Sequence, residues 1–192
     1  MSISLQKGSS LSLKKNDGSA LTKVRLGLCW DAAKHGLFGF GGGEIDLDAS
    51  AVMLDASGYV ADIVYFGQLQ SKDGSVRHSG DNLTGDGDGD DEEIVVNLSA
   101  VSANIKSVVF VITSYSGQKF NAVKNVFARV VDNSSNAEKE IVRYNLAESA
   151  NNTANVIAKL SRDGAGWAFT AIGEFTDGKT AHKTLAVVAR HA

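Results

Sequence analysis

Seven carboxylates crowd the stretch from Asp81 to Glu93: Asp81, Asp86, Asp88, Asp90, Asp91, Glu92 and Glu93. Glycines at 85, 87 and 89 run between them and Gly80 precedes them, and no Lys or Arg occurs between Arg77 and Lys106 to offset the charge. Glycine lets a backbone turn sharply enough to aim several oxygens, main-chain carbonyls included, at one centre. Oxygen donors without His or Cys select calcium or magnesium over zinc or copper. A flexible, glycine-laced acidic loop suits the larger and less regular shell of calcium. The spacing is not that of an EF-hand: counted from Asp86, Asp88 and Asp90 fall correctly, but Asp91 replaces the glycine and Asn97 the closing Glu. Nor is it a calcium β-roll, whose nonapeptide is repeated, since this segment occurs once.

A second pair of acids lies upstream. In Ile45-Asp46-Leu47-Asp48-Ala49, the alternation puts Asp46 and Asp48 on one face of a strand, about 6.6 Å apart. Two readings fit these acids. One is a solvated acidic loop, which is what a run of like charges usually is. The other is a cation site shared by loop and strand, which would relieve the repulsion of nine carboxylates if the two segments meet in space.

The elements that would carry these residues read as strands. Val24, Leu26, Leu28 and Trp30 alternate with Arg25, Gly27 and Cys29, the pattern of a half-buried strand, and Ile45, Leu47, Ala49, Ala51 and Met53 form another apolar face. Further β-like runs are Ala61 to Leu69, Glu93 to Leu98, Ser107 to Thr113, Asn125 to Asp132, Glu140 to Leu146, Asn155 to Arg162 and Trp167 to Phe175. Asp17-Gly18, Asp73-Gly74, Asn133 to Asn136, Asp163-Gly164 and Asp177-Gly178 supply turns. The sequence therefore predicts an all-β protein, a β-sandwich of two mainly antiparallel sheets with acidic loops. Short helical pieces are expected at Phe120 to Lys124 and in Thr180 to Arg190, where Leu185, Val188 and Ala189 form one stripe. Length and uniform composition predict one domain over residues 1–192.

Composition narrows the function classes. Once the seven loop acids are set aside, 15 acids face 19 basic residues, so the negative charge is local. The basic residues form no run and no interleaving with aromatics, which argues against nucleic-acid binding. A lone cysteine, Cys29, excludes an intrachain disulfide or a thiolate zinc cluster. The N-terminal residues lack the apolar segment of a secretory signal, and no apolar run approaches the roughly 20 residues of a membrane span, so a cytoplasmic protein is expected.

Other constellations are weaker. Gly36, Gly39 and Gly41 to Gly43 lack the Lys-Ser/Thr of a phosphate loop, and Glu44 stands where the spaced glycine fingerprint needs Gly, so a flexible loop is expected there. Its Leu37, Phe38 and Phe40 either tuck back onto the sandwich or form a small partner-binding patch. The histidines, His35, His78, His182 and His191, lack HExxH spacing, and no serine lies in a GxSxG elbow. His78 reads as a loop residue rather than a base, and Cys29 as a packed strand residue whose thiol becomes of interest only if exposed.

The stretches GDNLTGDGDGDDEEI (80–94), IDLDAS (45–50), LGLCWD (26–31), YFGQLQSKDGSVRHSGDN (65–82) and VVFVITSYSGQKFNAVKNVFARVVD (108–132) together resemble the bacterial tellurite-resistance TerD family. LFGFGGG (37–43) is most similar to its TerZ branch, and the resemblance runs from about Ser2 to Phe175. It implies a calcium-binding β-sandwich from cytoplasmic stress-response clusters linked to tellurite, phage and colicin resistance, with no established enzymatic activity. It implies further that Asp31, Asp46 and Asp48 lie near Asp81, Asn82, Gly85, Asp86, Asp88, Asp90, Asp91 and Glu92 around two calcium ions. The sequence departs from the family pattern with Asp86 in place of Glu and Ser79 in place of Thr. Implied partners are other proteins of such clusters, an integral membrane member among them, with a peripheral position at the inner membrane face. Two further functions are compatible with the residues: a calcium-dependent adaptor for a membrane surface or anionic ligand, and a metal-dependent hydrolase built on the carboxylates.

Overall fold

The computed structural model describes residues 3–4, 7–15, 17–31, 45–84, 89–134, 139–145, 151–164 and 166–192. Its strands, in chain order, are β1 (Ile3–Ser4), β2 (Ser10–Ser12), β3 (Lys23–Cys29), β4 (Leu47–Asp55), β5 (Val60–Val64), β6 (Val76–His78), β7 (Glu92–Asn97), β8 (Ile105–Ser114), β9 (Phe127–Asp132), β10 (Lys139–Asn145), β11 (Ala154–Asp163) and β12 (Gly166–Thr176). They form two six-stranded sheets, ordered β1-β10-β9-β3-β7-β6 and β2-β12-β11-β8-β4-β5. Among the described residues every pairing is antiparallel except β1 with β10, so the expected all-β sandwich is what the chain forms.

Alternation does most of the work. Val24, Leu26 and Leu28 of β3, Leu47, Ala49, Ala51 and Met53 of β4, Ile94 and Val96 of β7, and Val108, Phe110 and Ile112 of β8 meet in the core between the sheets. Val52 and Leu54 of β4, Val109 and Val111 of β8, Val156 and Ile172 point the other way, yet are also buried. The tail covers them: after β12 come 3-10 turns at Ala181–Lys183 and Ala189–His191 around a short helix α1 (Leu185–Val188). Val188 is fully buried there and Leu185 and Val187 pack beside it, whereas Ala189, expected in the stripe, is exposed. A strand buried on both faces reads as a continuous apolar run, which accounts for Val108 to Ile112.

The turns follow their chemistry. Gly18, Gly74 and Gly164 adopt positive φ of 83°, 72° and 57°, as their Asp-Gly steps predict. Asp177-Gly178 instead leads from β12 into the tail. Two expected strands are shorter than the apolar runs suggest. β5 stops at Val64, and Tyr65 and Gln68 close a tight turn through reciprocal backbone hydrogen bonds of 3.1 and 2.9 Å. β9 begins at Phe127 because Asn125 takes φ 51°, a left-handed conformation that Asn tolerates. Among the described residues no helix is long and apolar enough to cross a membrane.

Candidate metal centre

Three of the carboxylates meet where the start of β4 approaches the link between β6 and β7. Asp48 is the second residue of β4, and Asp46 lies just before that strand. The segment is fixed by the Trp30 indole N–H donating to Ile45 O (3.0 Å), by Ser116 Oγ accepting from Asp46 N (3.0 Å), and by Tyr115 N donating to Asp46 O (3.0 Å). Asp81 comes from the link between β6 and β7 of the other sheet. One carboxylate oxygen each of Asp46, Asp48 and Asp81 lie within 4.8 Å of one another. The sequence spacing put two of these on one strand; the fold brings the third from more than thirty residues away.

The electrostatics of this cluster are unfavourable without a cation. Asp48 is 2% exposed, and its Oδ2 is buried with no hydrogen-bond partner. Burial, and then the charges of Glu92, Asp46 and Asp81, push its carboxyl up to about 8. A buried, unpartnered carboxylate oxygen is costly, and a hard cation is the partner that three carboxylates can share. The donor set is all oxygen, which suits calcium or magnesium.

The remaining expected residues occupy different places. Glu92, the first residue of β7, is fully buried beside the cluster; its Oε2 accepts from Ala49 N (2.7 Å) and its Oε1 from Asn82 N (3.3 Å). Asn82 Nδ2 donates to Asp91 Oδ1 (3.4 Å), and its own Oδ1 accepts from Thr84 N (3.1 Å). Asp91 Oδ2 accepts from Trp30 N (2.9 Å). Asp31 Oδ2 accepts from Asn125 Nδ2 (2.9 Å), bracing the left-handed residue before β9. Asp90 lies on the outer face of the first sheet. Its carboxylate accepts Arg129 Nε (2.7 Å) and Nη2 (3.0 Å) and stands 2.9 Å from Arg25 Nη1. Burial acts to raise the Asp90 carboxyl, but hydrogen bonds from Arg129 and Cys29 and the charges of both arginines hold it below the usual range. Gly85, Asp86 and Asp88, like the glycine loop with Leu37, Phe38 and Phe40, lie outside the described residues.

His78 corrects the expectation of a loop residue. It ends β6, with a side chain fully buried against Glu92 at 3.3 Å. The buried-exposed-buried pattern of Val76-Arg77-His78 is the signal that would have found it, but three residues are too few for alternation to stand out. Arg25 and Arg129 carry no such signal in the sequence, because their importance depends on Asp90 folding over β3.

Cys29 is packed, as expected. It is 8% exposed, and its thiol contacts Gly89 O (3.1 Å) and Asp90 Oδ1 (3.0 Å). Burial, the Asp90 hydrogen bond and the charges of Asp90 and Asp91 push the thiol up to about 12. The reactive thiolate is therefore scarce. We expect Cys29 to resist a disulfide reagent such as DTNB in the native protein at mildly alkaline pH and to react at once in denaturant; rapid labelling of the native protein would contradict this burial.

Comparison with known proteins bears on the whole chain. A family model described as the TerD domain matches residues 1–185. The tellurium resistance protein TerZ of Serratia marcescens is 47% identical over 182 residues, covering 93% of this chain and 92% of its own. The stress response protein SCP2 of Bacillus subtilis (strain 168) is 42% identical over 190 residues, covering 92% and 94%. Among solved structures, a homologue of the telluride resistance protein TerD from Streptomyces coelicolor A3(2) matches with a TM-score of 0.73 at 23% identity, over 86% of this chain and 95% of that one, a likeness of fold.

Proposed function

The chain belongs to the TerD family, whose members include proteins named for tellurium resistance and for stress response, and on that premise we propose that it is a calcium-binding stress-response protein associated with tellurite resistance that works as a non-enzymatic binding module. The observation that carries the calcium reading is the buried Asp48 Oδ2, left without a hydrogen-bond partner in a cluster with Asp46 and Asp81. These three residues would hold the ion. Bound calcium would supply positive charge that ties β4 to the β6–β7 link and fixes the loop. The binding-module reading is supported by His78, the imidazole beside the cluster. It is buried, with Nδ1 accepting from Gly80 N (3.0 Å) and Nε2 facing Ala49 O (3.1 Å) and Glu92, so it is not free to act as a base. Tyr115, whose N–H donates to Asp46 O, and Leu83, two residues after Asp81, are 49% and 54% exposed and suit a protein partner from the same resistance clusters, an integral membrane member included.

Calorimetric titration with calcium tests the reading. Wild type should bind, with two ions expected, and Asp46→Asn, Asp48→Asn and Asp81→Asn should each weaken binding at least about tenfold, or 1.4 kcal/mol. Asp17→Asn, in the exposed turn before β3, should leave affinity unchanged. No heat with wild type, or full affinity in all three cluster variants, would overturn the site.

A further inference from the structure

We propose that Glu92, backed by His78, is a positioning residue for this centre rather than one of its ligands; the inference rests on the calcium reading above. Its carboxylate receives the N–H of Ala49, the residue after Asp48, and the N–H of Asn82, the residue after Asp81. One buried group thus sets the separation of two ligand-bearing segments that belong to different sheets.

The backbone explains why the group is there. β5 pairs with β4 only from Leu54 back to Ala51, so Ala49 lies beyond the reach of that neighbour. Its N–H goes instead to Glu92 Oε2, and its carbonyl faces His78 Nε2 at 3.1 Å. Glu92 and His78 together stand in for the missing strand, one as acceptor and one as donor. Gly80 N–H points at His78 Nδ1, which assigns the ring proton to Nε2, the atom 3.3 Å from Glu92 Oε2. The neighbours of Glu92 hold the same segment down: Asp90 is clamped by Arg25 and Arg129, and Asp91 receives Trp30 N–H. With both oxygens engaged by donors, Glu92 acts on the ion through the placement of Asp48 and Asp81. This is the part played by groups that orient metal ligands from behind, whose loss typically lowers affinity about 10–100-fold.

Terbium luminescence separates a positioning residue from a ligand, because lifetimes in H2O and D2O count the waters on the bound ion. Glu92→Gln is expected to lower terbium and calcium affinity about 10–100-fold while leaving the number of bound waters unchanged. In the ion-free protein, amide exchange should accelerate at whichever of Ala49 and Asn82 then faces the side-chain NH2, which cannot accept, with the rest of β4 and β8 unaffected. A gain of about one or two waters, as a lost mono- or bidentate carboxylate would give, makes Glu92 a ligand and overturns the proposal. So does unchanged affinity. If Glu92→Gln does not fold, His78→Leu removes the donor behind the same carboxylate and should lower affinity without changing hydration, and His78→Gln, which restores a donor, should recover most of it; equal affinity in these two would count against the brace. Wild type that binds neither ion overturns the reading of the centre itself, whereas the exchange result still decides whether Glu92 braces the two segments.

Discussion

In the presence of chelator, Asp48→Asn is expected to melt above wild type near neutral pH, and in calcium to have lost the stabilisation that wild type gains. Both effects follow from one buried carboxyl. Burial, together with the charges of Glu92, Asp46 and Asp81, raises the folded-state value for Asp48 to about 8, against about 3.9 in an unfolded chain. The folded protein therefore holds this proton more tightly than the unfolded chain does. Stability from this group is full below about pH 4 and is lost as pH rises through about 8, because unfolding then releases a proton. At 1.36 kcal/mol for each pKa unit, the loss at neutral pH is of the order of a few kcal/mol. Asparagine has nearly the same shape and no charge to bury, so the variant's ion-free stability should lack this decline. Calcium at 100 times its dissociation constant stabilises a one-site wild type by about 2.7 kcal/mol, and magnesium at equal concentration much less. Thermal melts of both proteins across that pH range, in calcium, magnesium and chelator, read the two effects. Parallel pH profiles in chelator would refute the assignment of the cost to Asp48.

Gly27→Ala should be among the most damaging single substitutions in the first sheet. A Cβ on Gly27 would lie 2.1 Å from Asp90 Oδ2 and 2.2 Å from Cγ, well inside van der Waals contact. The bare Cα of Gly27, in the middle of β3, is the floor on which the Asp90 carboxylate rests between Arg25 and Arg129. The Asp90 side chain is fully buried and that of Arg25 is 7% exposed, so pushing the carboxylate off the strand leaves a buried guanidinium without it. Breaking a buried pair from one side typically costs about 3–5 kcal/mol. Glu93 also pairs with Arg25, which moderates the loss. Urea denaturation of Gly27→Ala, Asp90→Ala and the double variant checks the mechanism. The two single losses should be similar and the double variant little worse than either; a fully additive double variant would mean that Gly27 matters for some other reason.

The elements were legible where alternation ran long enough. β3, β4, β8, β11 and β12 are read almost residue for residue from their apolar period, whereas Ser10–Ser12 and Val76–His78 are too short to show one. The alternation predicts a half-buried β3, but the strand is covered on both faces. Arg25 and Cys29 on its outer face are 6% and 8% exposed, because Asp90 folds over Gly27 from sixty residues away and brings Arg129 of β9 into the same network. Local pattern cannot report that kind of cover. The same holds for the acids. Asp90, Asp91 and Glu92 are adjacent and look equivalent in sequence, yet they turn to the outer face of a sheet, to the end of β3 and to the space between the sheets. What separates them is the bend at Asp91, just before β7 begins at Glu92; a regular pleat would put Asp90 and Glu92, two residues apart, on one face. Spacing pairs Asp46 with Asp48, and the loop supplies Asp81, but that these three and not all the acids share one point is a product of sheet packing.

The order of the strands has a consequence for how this protein behaves when crowded with copies of itself. The outermost strands are β1 and β6 in one sheet and β2 and β5 in the other. At two, three, three and five residues, these are the four shortest of the described strands, whereas the interior ones run from six to eleven. A long bare rim of amide and carbonyl groups templates strand-to-strand polymerisation, and short rims are one way natural sheets avoid it. Val108 to Ile112, the most apolar run in the chain and by composition an amyloid hazard, lies in β8, enclosed by β4 and β11. Its protection from fibril growth is therefore a matter of global unfolding rather than of fraying at the margins.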